Sequence, residues 1–346
     1  MKGMSAMDFK NRKVLVVGGA GYVGSVLTTL LLDAGAQVRV LDQLIYDNGF
    51  ALQHLLDNDR LSFVRGDLRD AATFARVADG VNDVVLLASL VGDPICKKYP
   101  ELALDVNQRA AMRIIESLDR LGVERFVFAS TCSNYGIHDP ATLASESAQL
   151  NPQSLYAKTK IAVEQRLLEV AKQSEFAGTV LRVATAYGCS PRMRFDLTVS
   201  QFAWEIASSE QPLLVYDADT WRPYCHVRDI SKAVMTVLSQ PVERVRAEVF
   251  NVGADAQHFT KRMVVEEVQK QMPSAKIEYR AGDTDPRNYR VSFAKIAERL
   301  GFQCDHSVQR YLPALVDAVR AGVFPNASGN NRYGNYEVRH LAPALT

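Results

Sequence analysis

The sequence predicts an α/β fold: a doubly wound parallel sheet with a smaller, irregular C-terminal lobe. Two observations predict the sheet. Short β-branched runs alternate with helix-length segments over the first half of the chain, and these runs are apolar on both faces, as parallel strands covered by helices are. A third observation, a glycine-rich turn directly after the first run, marks the first strand-to-helix connection.

Six strands follow from this alternation. They cover residues 13–17, 37–42, 61–64, 83–88, 124–130 and 178–184. Predicted helices between them include residues 24–32 and 103–121. Because strands that are joined through helices pair in parallel, we expect one sheet with helices on both faces.

The alternation ends after Tyr187, where segments rich in Pro, Arg and Asp surround residues 190–196 and 216–224. A helix at 227–238 and a strand at 248–252 still fit the first lobe.

The predicted domains follow from this change along the chain. Residues 1–185, with returns at about 227–255, form the sheet domain, and residues 186–226 and 256–325 form a substrate lobe. Residues 326–346 form a polar tail, for which a frayed end is favoured over an arm that binds a partner.

Composition and charge exclude several classes of protein. Of the 346 residues, 47% are hydrophobic and 23% are charged, which is the usual balance of a globular protein. The 40 Lys and Arg residues against 39 Asp and Glu residues give a net charge of +1, so the charge indicates neither nucleic acid nor an anionic membrane as a partner.

Apolar runs and cysteines predict the compartment. No apolar run is long enough to span a bilayer, and residues 1–12 lack a signal-peptide core, so we expect a cytoplasmic protein. The five cysteines are odd in number and contain no CxxC pair, which favours reduced thiols over a disulfide framework or a metal site.

The turn after the first strand has the pattern of a dinucleotide site. Gly18, Gly21 and Gly24 stand in Gly-Gly-Ala-Gly-Tyr-Val-Gly between a strand and a helix, the context in which this pattern binds a pyrophosphate. Gly18 permits the tight turn, Gly21 lets the backbone approach the phosphates, and Gly24 lets the helix pack on the strand. Tyr22 and Val23 belong to the helix N-terminus that faces the phosphates.

Asp42, at the end of the second strand, indicates which dinucleotide binds. It stands 18 positions beyond Gly24, where a carboxylate accepts hydrogen bonds from the adenosine ribose and repels a 2′-phosphate. NAD is therefore favoured over NADP, and Arg39 points to the opposite strand face by parity. Asp67 and Leu68, after the third strand, lie either at the adenine edge or, with equal weight, at the cap of the next helix.

Thr131, Tyr156 and Lys160 are the candidate catalytic residues. Tyr156 and Lys160 are four apart on a helix-prone segment, so they share one helix face. Thr131 ends the fifth strand, at the edge where open α/β sheets bind ligands. The pKa of a tyrosine, ordinarily ~10, must fall by about three units for the phenolate to act as a base near neutral pH. This requires the phenolate to be stabilised by ~4 kcal/mol relative to the phenol. Lys160 and the positive nicotinamide ring are expected to supply this stabilisation.

In this order, the glycine turn, the acidic second strand, the hydroxyl loop and Tyr-x-x-x-Lys resemble the extended short-chain dehydrogenase/reductase family, in particular its nucleotide-sugar epimerase/dehydratase branch. The resemblance spans residues 13 to about 320. It implies a Rossmann fold, a tightly held NAD, and Thr131, Tyr156 and Lys160 as a catalytic triad, with Lys160 also holding the nicotinamide ribose.

The resemblance also implies further site residues. Ala88 matches the loop near the nicotinamide, and Asn107 matches an Asn on the helix behind the active site, which we group with the substrate-binding residues. Thr185 replaces an Asn that many relatives place against the substrate. Since relatives commonly pair two helices per subunit, a homodimer is expected through residues 103–121 and 156–171.

Five arginines are implied in substrate binding. Arg222 lies in an Arg-x-x-x-His-Val-x-Asp segment, whose arginine reaches the diphosphate of a nucleotide sugar, and Arg280 and Arg287 match positions that reach the nucleotide. We expect these three to converge on one cleft. Arg192 and Arg194 lie in a segment similar to that of a bacterial subgroup that includes a GDP-heptose 4-dehydrogenase.

The two residues after Thr131 reduce the number of reactions that the chain is expected to catalyse. In the family's 4,6-dehydratases and decarboxylases, the catalytic hydroxyl is followed by Asp-Glu or Ser-Glu, and the Glu assists elimination or decarboxylation. Cys132 and Ser133 stand there instead. We therefore favour an NAD-dependent nucleotide-sugar 4-epimerase or 4-dehydrogenase that oxidises the C4 hydroxyl with Tyr156 as base. The alternatives are a 4,6-dehydratase or reductase of such sugars and a small-molecule alcohol dehydrogenase of the same fold.

Overall fold

The computed structural model describes residues 7–209, 211–282 and 285–339. Expectations for residues 1–6, and for the tail beyond residue 339, lie outside the described residues. The strands are Lys13–Val17 (β1), Gln37–Asp42 (β2), Leu61–Arg65 (β3), Asp83–Leu86 (β4), Arg125–Thr131 (β5), Leu143–Ala144 (β6), Ala177–Val183 (β7), Thr185–Tyr187 (β8), Leu213–Tyr216 (β9), Trp221–His226 (β10), Glu248–Val252 (β11), His258–Thr260 (β12), Ile277–Arg280 (β13) and Arg290–Val291 (β14).

The helices alternate with these strands. They are Tyr22–Asp33 (α1), Ala71–Ala78 (α2), Asp93–Lys98 (α3), Pro100–Leu104 (α4), Ala111–Ser117 (α5), Leu155–Ala171 (α6), Thr198–Ser208 (α7), Val227–Ser239 (α8), Val242–Val245 (α9), Lys261–Gln269 (α10), Ala294–Leu300 (α11) and Val308–Arg320 (α12). Among the described residues, none of these helices is both long enough and apolar enough to cross a bilayer.

Seven strands form one parallel sheet in the order β11-β7-β5-β4-β1-β2-β3. This confirms the predicted doubly wound sheet. Its hydrophobic cores lie on the two faces, as the alternation along β1 illustrates: Val14 and Val16 pack into one core, and Leu15 and Val17 pack into the other. Both faces are buried, which is why the strand runs were apolar throughout.

The second lobe contains strands where the sequence predicted loops. Trp221–His226 (β10) pairs with β8 in parallel and with β12 in antiparallel fashion, although residues 216–224 were expected to lack regular structure. Pro223 has no backbone N–H and normally argues against a strand, so the local pattern concealed β10. The short three-stranded sheet exists only because three distant segments meet.

The helix predicted over 103–121 is interrupted. Regular α-helix ends at Leu104, a π-helical turn occupies Asp105–Ala110, and α-helix resumes at Ala111. Such wide turns are rare, and they occur mostly at functional sites.

The tail is not frayed in its described part, which corrects the favoured expectation. Asn331–Tyr333 forms a short 3₁₀-helix, and the Phe195 N–H donates to the carbonyl of Tyr333 at 2.7 Å. The Arg339 N–H donates to the carbonyl of Ile45 at 3.0 Å. The sequence showed no period here because the segment is held by loop contacts and not by an element of its own.

Candidate active site

A cavity of about 1200 Å³ lies at the carboxyl edge of the main sheet. Its walls include the turn after β1, the ends of β2 and β5, and loops of the second lobe. Because the strand order reverses between β1 and β4, the connections there leave toward opposite faces and open a crevice. The predicted catalytic residues and, with the exception of Asp67, the predicted cofactor residues line this crevice.

The glycine turn has no room for side chains. Gly18 has a φ of +91°, and a Cβ added to it would lie 2.6 Å from the Ala88 nitrogen. A Cβ on Gly24 would collide with the carbonyl oxygen of Gly18. Gly18, Gly21, Tyr22, Val23, Gly24 and Ala88 all line the cavity. This geometry fits a pyrophosphate held against the first N–H groups of α1.

Asp42 closes the adenosine end of this trough. Its Oδ2 accepts a hydrogen bond from the Ala20 N–H at 3.0 Å, and its Oδ1 accepts one from the Leu44 N–H at 2.9 Å. Burial raises the pKa of this carboxyl, against the opposing effect of the two N–H donors. Arg39 donates to the carbonyl of Val77 at 2.7 Å, on the opposite strand face, as parity predicted. No cation of β2 therefore offsets the repulsion of a 2′-phosphate by Asp42.

Asp67 occupies neither of its two expected places. It does not line the cavity, and the N-cap of α2 is Asp70, which accepts from the Ala72 N–H. Asp67 instead binds Arg69, with Oδ2 at 2.9 Å from Nε, and it accepts from Gln43 at 2.8 Å. Arg69 stands two residues away in sequence, whereas Gln43, 24 positions away, is brought near by the fold, and together they occupy the carboxylate. Leu68 does line the cavity.

The three candidate catalytic residues share one wall of the cavity. Thr131 ends β5, and its Oγ1 accepts from the Ser133 N–H at 3.1 Å. Tyr156 lies in the first turn of α6, which begins where Ser154 accepts from the Ala157 N–H. Lys160 follows one turn later and is 2% exposed. The helix and the strand end thus bring a hydroxyl, a phenol and an ammonium to one place.

The charge balance around Tyr156 differs from the expectation. The Lys160 ammonium donates to the carbonyl of Ala129 at 2.8 Å and lies 5.6 Å from the centre of the Tyr156 ring. Burial lowers the pKa of Lys160 to about 8 and raises the pKa of Tyr156 above its ordinary value. Lys160 alone therefore does not lower the pKa of Tyr156, because desolvation dominates at both groups.

The two residues after Thr131 face different ways. Cys132 is buried, and its Sγ donates to the carbonyl of Arg182 at 3.1 Å. Ser133 lines the cavity, and its Oγ accepts from Arg287 Nη1 at 3.3 Å. Neither residue brings an acid or a base to the reacting end of the cavity.

Two of the three expected nucleotide-binding arginines converge. Arg222 and Arg287 line the cavity, and both bind Asp285, at 3.1 Å from Arg222 Nη2 and 2.7 Å from Arg287 Nε. Burial alone would raise the pKa of Asp285, but the two guanidinium groups outweigh it and hold the pKa below its usual range. Arg280 is exposed, pairs with Glu278 and does not line the cavity, which corrects the expectation.

Asn107 supports the site from behind and does not line the cavity. Its Oδ1 accepts from the Leu90 N–H at 2.7 Å, and its Nδ2 donates to the Leu90 carbonyl at 3.0 Å. This 2% exposed amide positions the loop that follows β4, and the assignment of Asn107 to substrate binding stays a prediction.

Arg192 and Arg194 line the cavity, but on its cofactor side. Arg192 stacks on Tyr46, 5.2 Å from the ring centre, and its charge acts on Asp42. Arg194 binds Asp196. Both were expected to bind substrate; their segment is bound to the first turn of α1 through Ser190. Thr185 lines the cavity as predicted.

Sequence reasoning missed several lining residues. Tyr46, Asp93, Lys261, Asp285 and Tyr336 all border the cavity. Asp93 pairs with Arg287 at 3.1 Å, so a carboxylate does reach the site, from α3 instead of from the loop after Thr131. Only Asp285 carried a local signal, its position two residues before Arg287.

Comparison with known proteins is consistent with this geometry. The model of the NAD dependent epimerase/dehydratase family matches residues 14–253. A UDP-glucose 4-epimerase from Corynebacterium glutamicum is 28% identical over 312 residues, 85% of this chain and 92% of the relative. The uncharacterized UDP-glucose epimerase YtcB from Bacillus subtilis is 31% identical over 252 residues, 70% of this chain and 76% of the relative. The structure of MoeE5 in complex with UDP-glucose and NAD has a TM-score of 0.78 and 26% identity, covering 90% of this chain and 99% of that chain.

Proposed function

The chain belongs to the NAD dependent epimerase/dehydratase family, and from this we propose that it is an NAD-dependent 4-epimerase or 4-dehydrogenase of a nucleoside-diphosphate sugar. One observation carries the proposal: a single cavity holds a dinucleotide trough that ends at Asp42, the Thr131, Tyr156 and Lys160 group, and the paired Arg222 and Arg287. The similar proteins named as UDP-glucose epimerases support the sugar-nucleotide part.

Bound NAD supplies the hydride acceptor for the C4 carbon of the sugar. Tyr156 takes the proton of the C4 hydroxyl, and the Thr131 hydroxyl hydrogen-bonds the same oxygen. Because burial raises the pKa of Tyr156, the phenolate needs nearby positive charge. The charges of Arg194 and Arg287 act on this phenol, and Lys160 is the cation one helical turn away.

Arg222 and Arg287 hold the diphosphate of the substrate. In the structure described here both are neutralised in part by Asp285, and Lys261 stands close enough for its charge to act on the same group. A diphosphate therefore meets three cations and two carboxylates, Asp285 and the Asp93 that pairs with Arg287. The planar fork of each guanidinium suits two phosphate oxygens.

The same contacts disfavour the alternatives. Elimination across C5 and C6 needs a base and an acid, and Ser133 does not ionise while Cys132 faces away from the cavity. The Asp93 carboxylate is bound to Arg287 at 3.1 Å. A small-molecule alcohol dehydrogenase would have no use for Arg222 and Arg287 in its site.

We further propose which residues bind the cofactor and which bind the substrate, and that the chain forms a homodimer. Residues 1–185 with the return at 227–255 hold the cofactor, and residues 186–226 with 256–325 hold the substrate. The homodimer is proposed to form through α5 and α6, whose outer sides carry the half-buried apolar residues Met112 and Leu168. We propose a reducing, cytoplasmic compartment on the five free thiols among the described residues.

The test is incubation of purified protein with UDP-, dTDP- and GDP-linked hexoses and a GDP-linked heptose in deuterated water, followed by mass spectrometry. Epimerisation leaves the mass unchanged and alters chromatographic retention, whereas net oxidation lowers the mass by about 2 units. A 6-deoxy-4-keto product, about 18 mass units lighter before deuterium is counted, would instead establish the dehydratase alternative. Turnover of none of these nucleotides would contradict the proposal.

A further inference from the structure

The segment that carries Arg192 and Arg194 is fastened to the first turn of α1. Ser190 Oγ donates to the carbonyl of Tyr22 at 2.7 Å and lies 3.1 Å from Ser25 Oγ. Tyr22 Oη donates to the carbonyl of Gly188 at 2.7 Å. The first turn of α1 presents its free N–H groups to the cavity. Arg192 and Arg194 therefore border the cavity beside the first turn of α1, where a dinucleotide carries its pyrophosphate.

Arg192 is almost fully buried, at 2% exposure, yet much of its hydrogen-bonding capacity is unused. Its Nη2 donates to the carbonyls of Gly334 and Asn331 at 2.7 and 3.1 Å. Within 7–209, 211–282 and 285–339, its Nε and Nη1 have no hydrogen-bond acceptor. Burial and the neighbouring charge of Arg194 lower the pKa of Arg192 to about 10.

Arg194 is similarly placed. Its Nε and Nη2 bind the carboxylate of Asp196 at 2.9 and 2.6 Å, and that carboxylate also accepts from the Asn335 N–H at 3.1 Å. The Arg194 Nη1 has no acceptor among the described residues. Asp196 is the ion-pair partner of Arg194, and the charges of Asp196 and Asp42 both act on Arg192. What the two buried arginines leave unused is therefore N–H donors, which an anion in the cavity would accept from.

A segment that we name the strap, residues 331–339, holds both arginines and crosses the cavity. The carbonyls on Arg192 and the N–H on Asp196 belong to it. Beyond them, Glu337 binds Lys98 and accepts from Tyr99 at 2.7 Å, and Arg339 pairs with Asp47. The strap therefore joins the second lobe to α3 and to the loop after β2, and its Tyr336 and Val338 line the cavity.

We propose that Arg192 and Arg194 bind the pyrophosphate of NAD beside the first turn of α1, and that the strap holds them there so that the dinucleotide is enclosed. The inference rests on the cofactor half of the proposed function and is independent of the sugar. An enclosed cofactor that does not exchange is re-oxidised in place by a carbonyl compound bound in the same cavity. This is what epimerisation, or transfer to a second carbonyl substrate, needs.

The first experiment separates the two possible diphosphates, that of NAD and that of the substrate. We measure the rate of NAD loss from purified protein during dialysis, and the affinity of the NAD-loaded protein for UDP and GDP by calorimetry. For Arg194→Gln we expect NAD loss about 10- to 100-fold faster, the effect of one charge-assisted hydrogen bond, with nucleotide affinity unchanged. Arg222→Gln should weaken UDP or GDP and retain NAD. The exposed Arg280→Gln is the matched control for both.

Unchanged NAD loss with weakened UDP or GDP binding in Arg194→Gln would overturn the proposal and return these arginines to the substrate. If neither nucleotide binds the parent protein, the proposed substrate class fails while the NAD arm still decides the inference. Should Arg194→Gln not fold, Arg194→Lys keeps a charge beside Asp196 but loses the planar fork, and faster NAD loss is again expected.

The second experiment tests the strap. Removal of residues 327–346 should accelerate NAD loss at least as much as Arg194→Gln. Glu337→Ala, which leaves the cavity intact and only releases the strap from Lys98 and Tyr99, should accelerate it by a smaller factor. NAD retention equal to that of the parent in both variants, with both folded by circular dichroism, would contradict the role of the strap.

Discussion

At Tyr156 and Lys160, burial and the proposed chemistry favour opposite protonation states. Burial raises the pKa of Tyr156 and lowers that of Lys160 to about 8, so each group is pushed toward its neutral form. The proposed chemistry needs the opposite, a phenolate beside an ammonium. A site of this kind is less stable without its ligand than an apolar one of the same shape would be.

The base role of Tyr156 predicts a selective loss of turnover. Tyr156→Phe removes the proton acceptor and little volume, so kcat should fall by about 100-fold or more while NAD content stays that of the parent. Single-turnover rates and the NAD content of the purified variant measure the two quantities. Retention of more than about a tenth of the rate would remove Tyr156 from this role.

Replacement of Lys160 should raise the stability of the folded protein and abolish its activity. Since the folded-state pKa of about 8 lies below the ordinary 10.5, the unfolded chain binds more protons between these pH values. Burial of the ammonium therefore costs stability below about pH 8, and this cost fades as the pH rises toward 10.5. In NAD-free protein at pH 7, Lys160→Met should be more stable by about 1–3 kcal/mol, and it should be inactive.

Urea unfolding of both proteins at pH 7 and pH 10 measures the effect of Lys160→Met. The stability difference should shrink at the higher pH. A variant that is less stable than the parent at pH 7 would show that the hydrogen bond of Lys160 to Ala129 outweighs its desolvation.

Asp42 predicts the cofactor preference. Asp42→Ala removes the expected acceptor for the adenosine ribose and the charge that repels a 2′-phosphate, so NAD should bind about tenfold more weakly and NADP more tightly. Calorimetry with both dinucleotides on cofactor-stripped protein provides the comparison. Tighter binding of NADP than of NAD by the parent protein would contradict this assignment.

At the scale of elements, the π-helical turn between α4 and α5 positions a loop of the cavity. The wide turn at Asp105–Ala110 includes Asn107, whose amide pairs with both backbone groups of Leu90. A regular helix would rotate the following residues by a fraction of a turn. The Asn107 side chain therefore makes the hydrogen bonds to Leu90 that a neighbouring strand would make if this loop continued the sheet.

Asn107→Leu should leave the Leu90 N–H buried and unpaired, at a cost of about 1–3 kcal/mol in the free energy of unfolding, while the Leu90 carbonyl keeps the Cys96 thiol as a donor at 3.3 Å. Faster NAD loss should accompany it because Leu90 and Ala88 line the cofactor trough. Arg109→Ala, an exposed neighbour in the same turn, is the control and should change stability by less than about 0.5 kcal/mol. Equal stability of the two variants would argue against the role of Asn107.

At the scale of the whole molecule, the cavity is assembled from segments that are far apart in the chain. Asp42, Tyr156, Arg222, Asp285 and Tyr336 all border it. The main sheet supplies the cofactor trough, while the second lobe and the strap supply most of the charged groups. Substrate binding and cofactor retention are therefore properties of the closed fold and not of any one motif.

The proposed homodimer is a prediction at the same scale. Light scattering at micromolar concentration should give about twice the 38.3 kDa of one chain. Charges introduced on the outer sides of α5 and α6 by Met112→Glu and Leu168→Glu should shift the mass toward one chain. A monomer in the parent protein would contradict the assembly.

The sequence alone determined the main sheet, the glycine turn, Asp42 and the placement of Thr131, Tyr156 and Lys160. These features are local: a buried parallel strand must be apolar along its length, and a tight turn against a phosphate must be built from glycine. A Tyr and a Lys four residues apart on a helix share a face whatever surrounds them.

Only the tertiary structure decided which charged side chains meet. Arg280 lies outside the cavity and pairs with Glu278 on the same strand. Asp67 does not line the cavity either, and it pairs with Arg69. Arg192 and Arg194 lie in a segment that is held beside α1, because Ser190 binds the first turn of that helix. The polar tail became a strap through contacts with residues more than 130 positions away, such as that of Gly334 with Arg192. Long, flexible charged side chains take the partner that the fold brings near, and sequence spacing does not encode that distance.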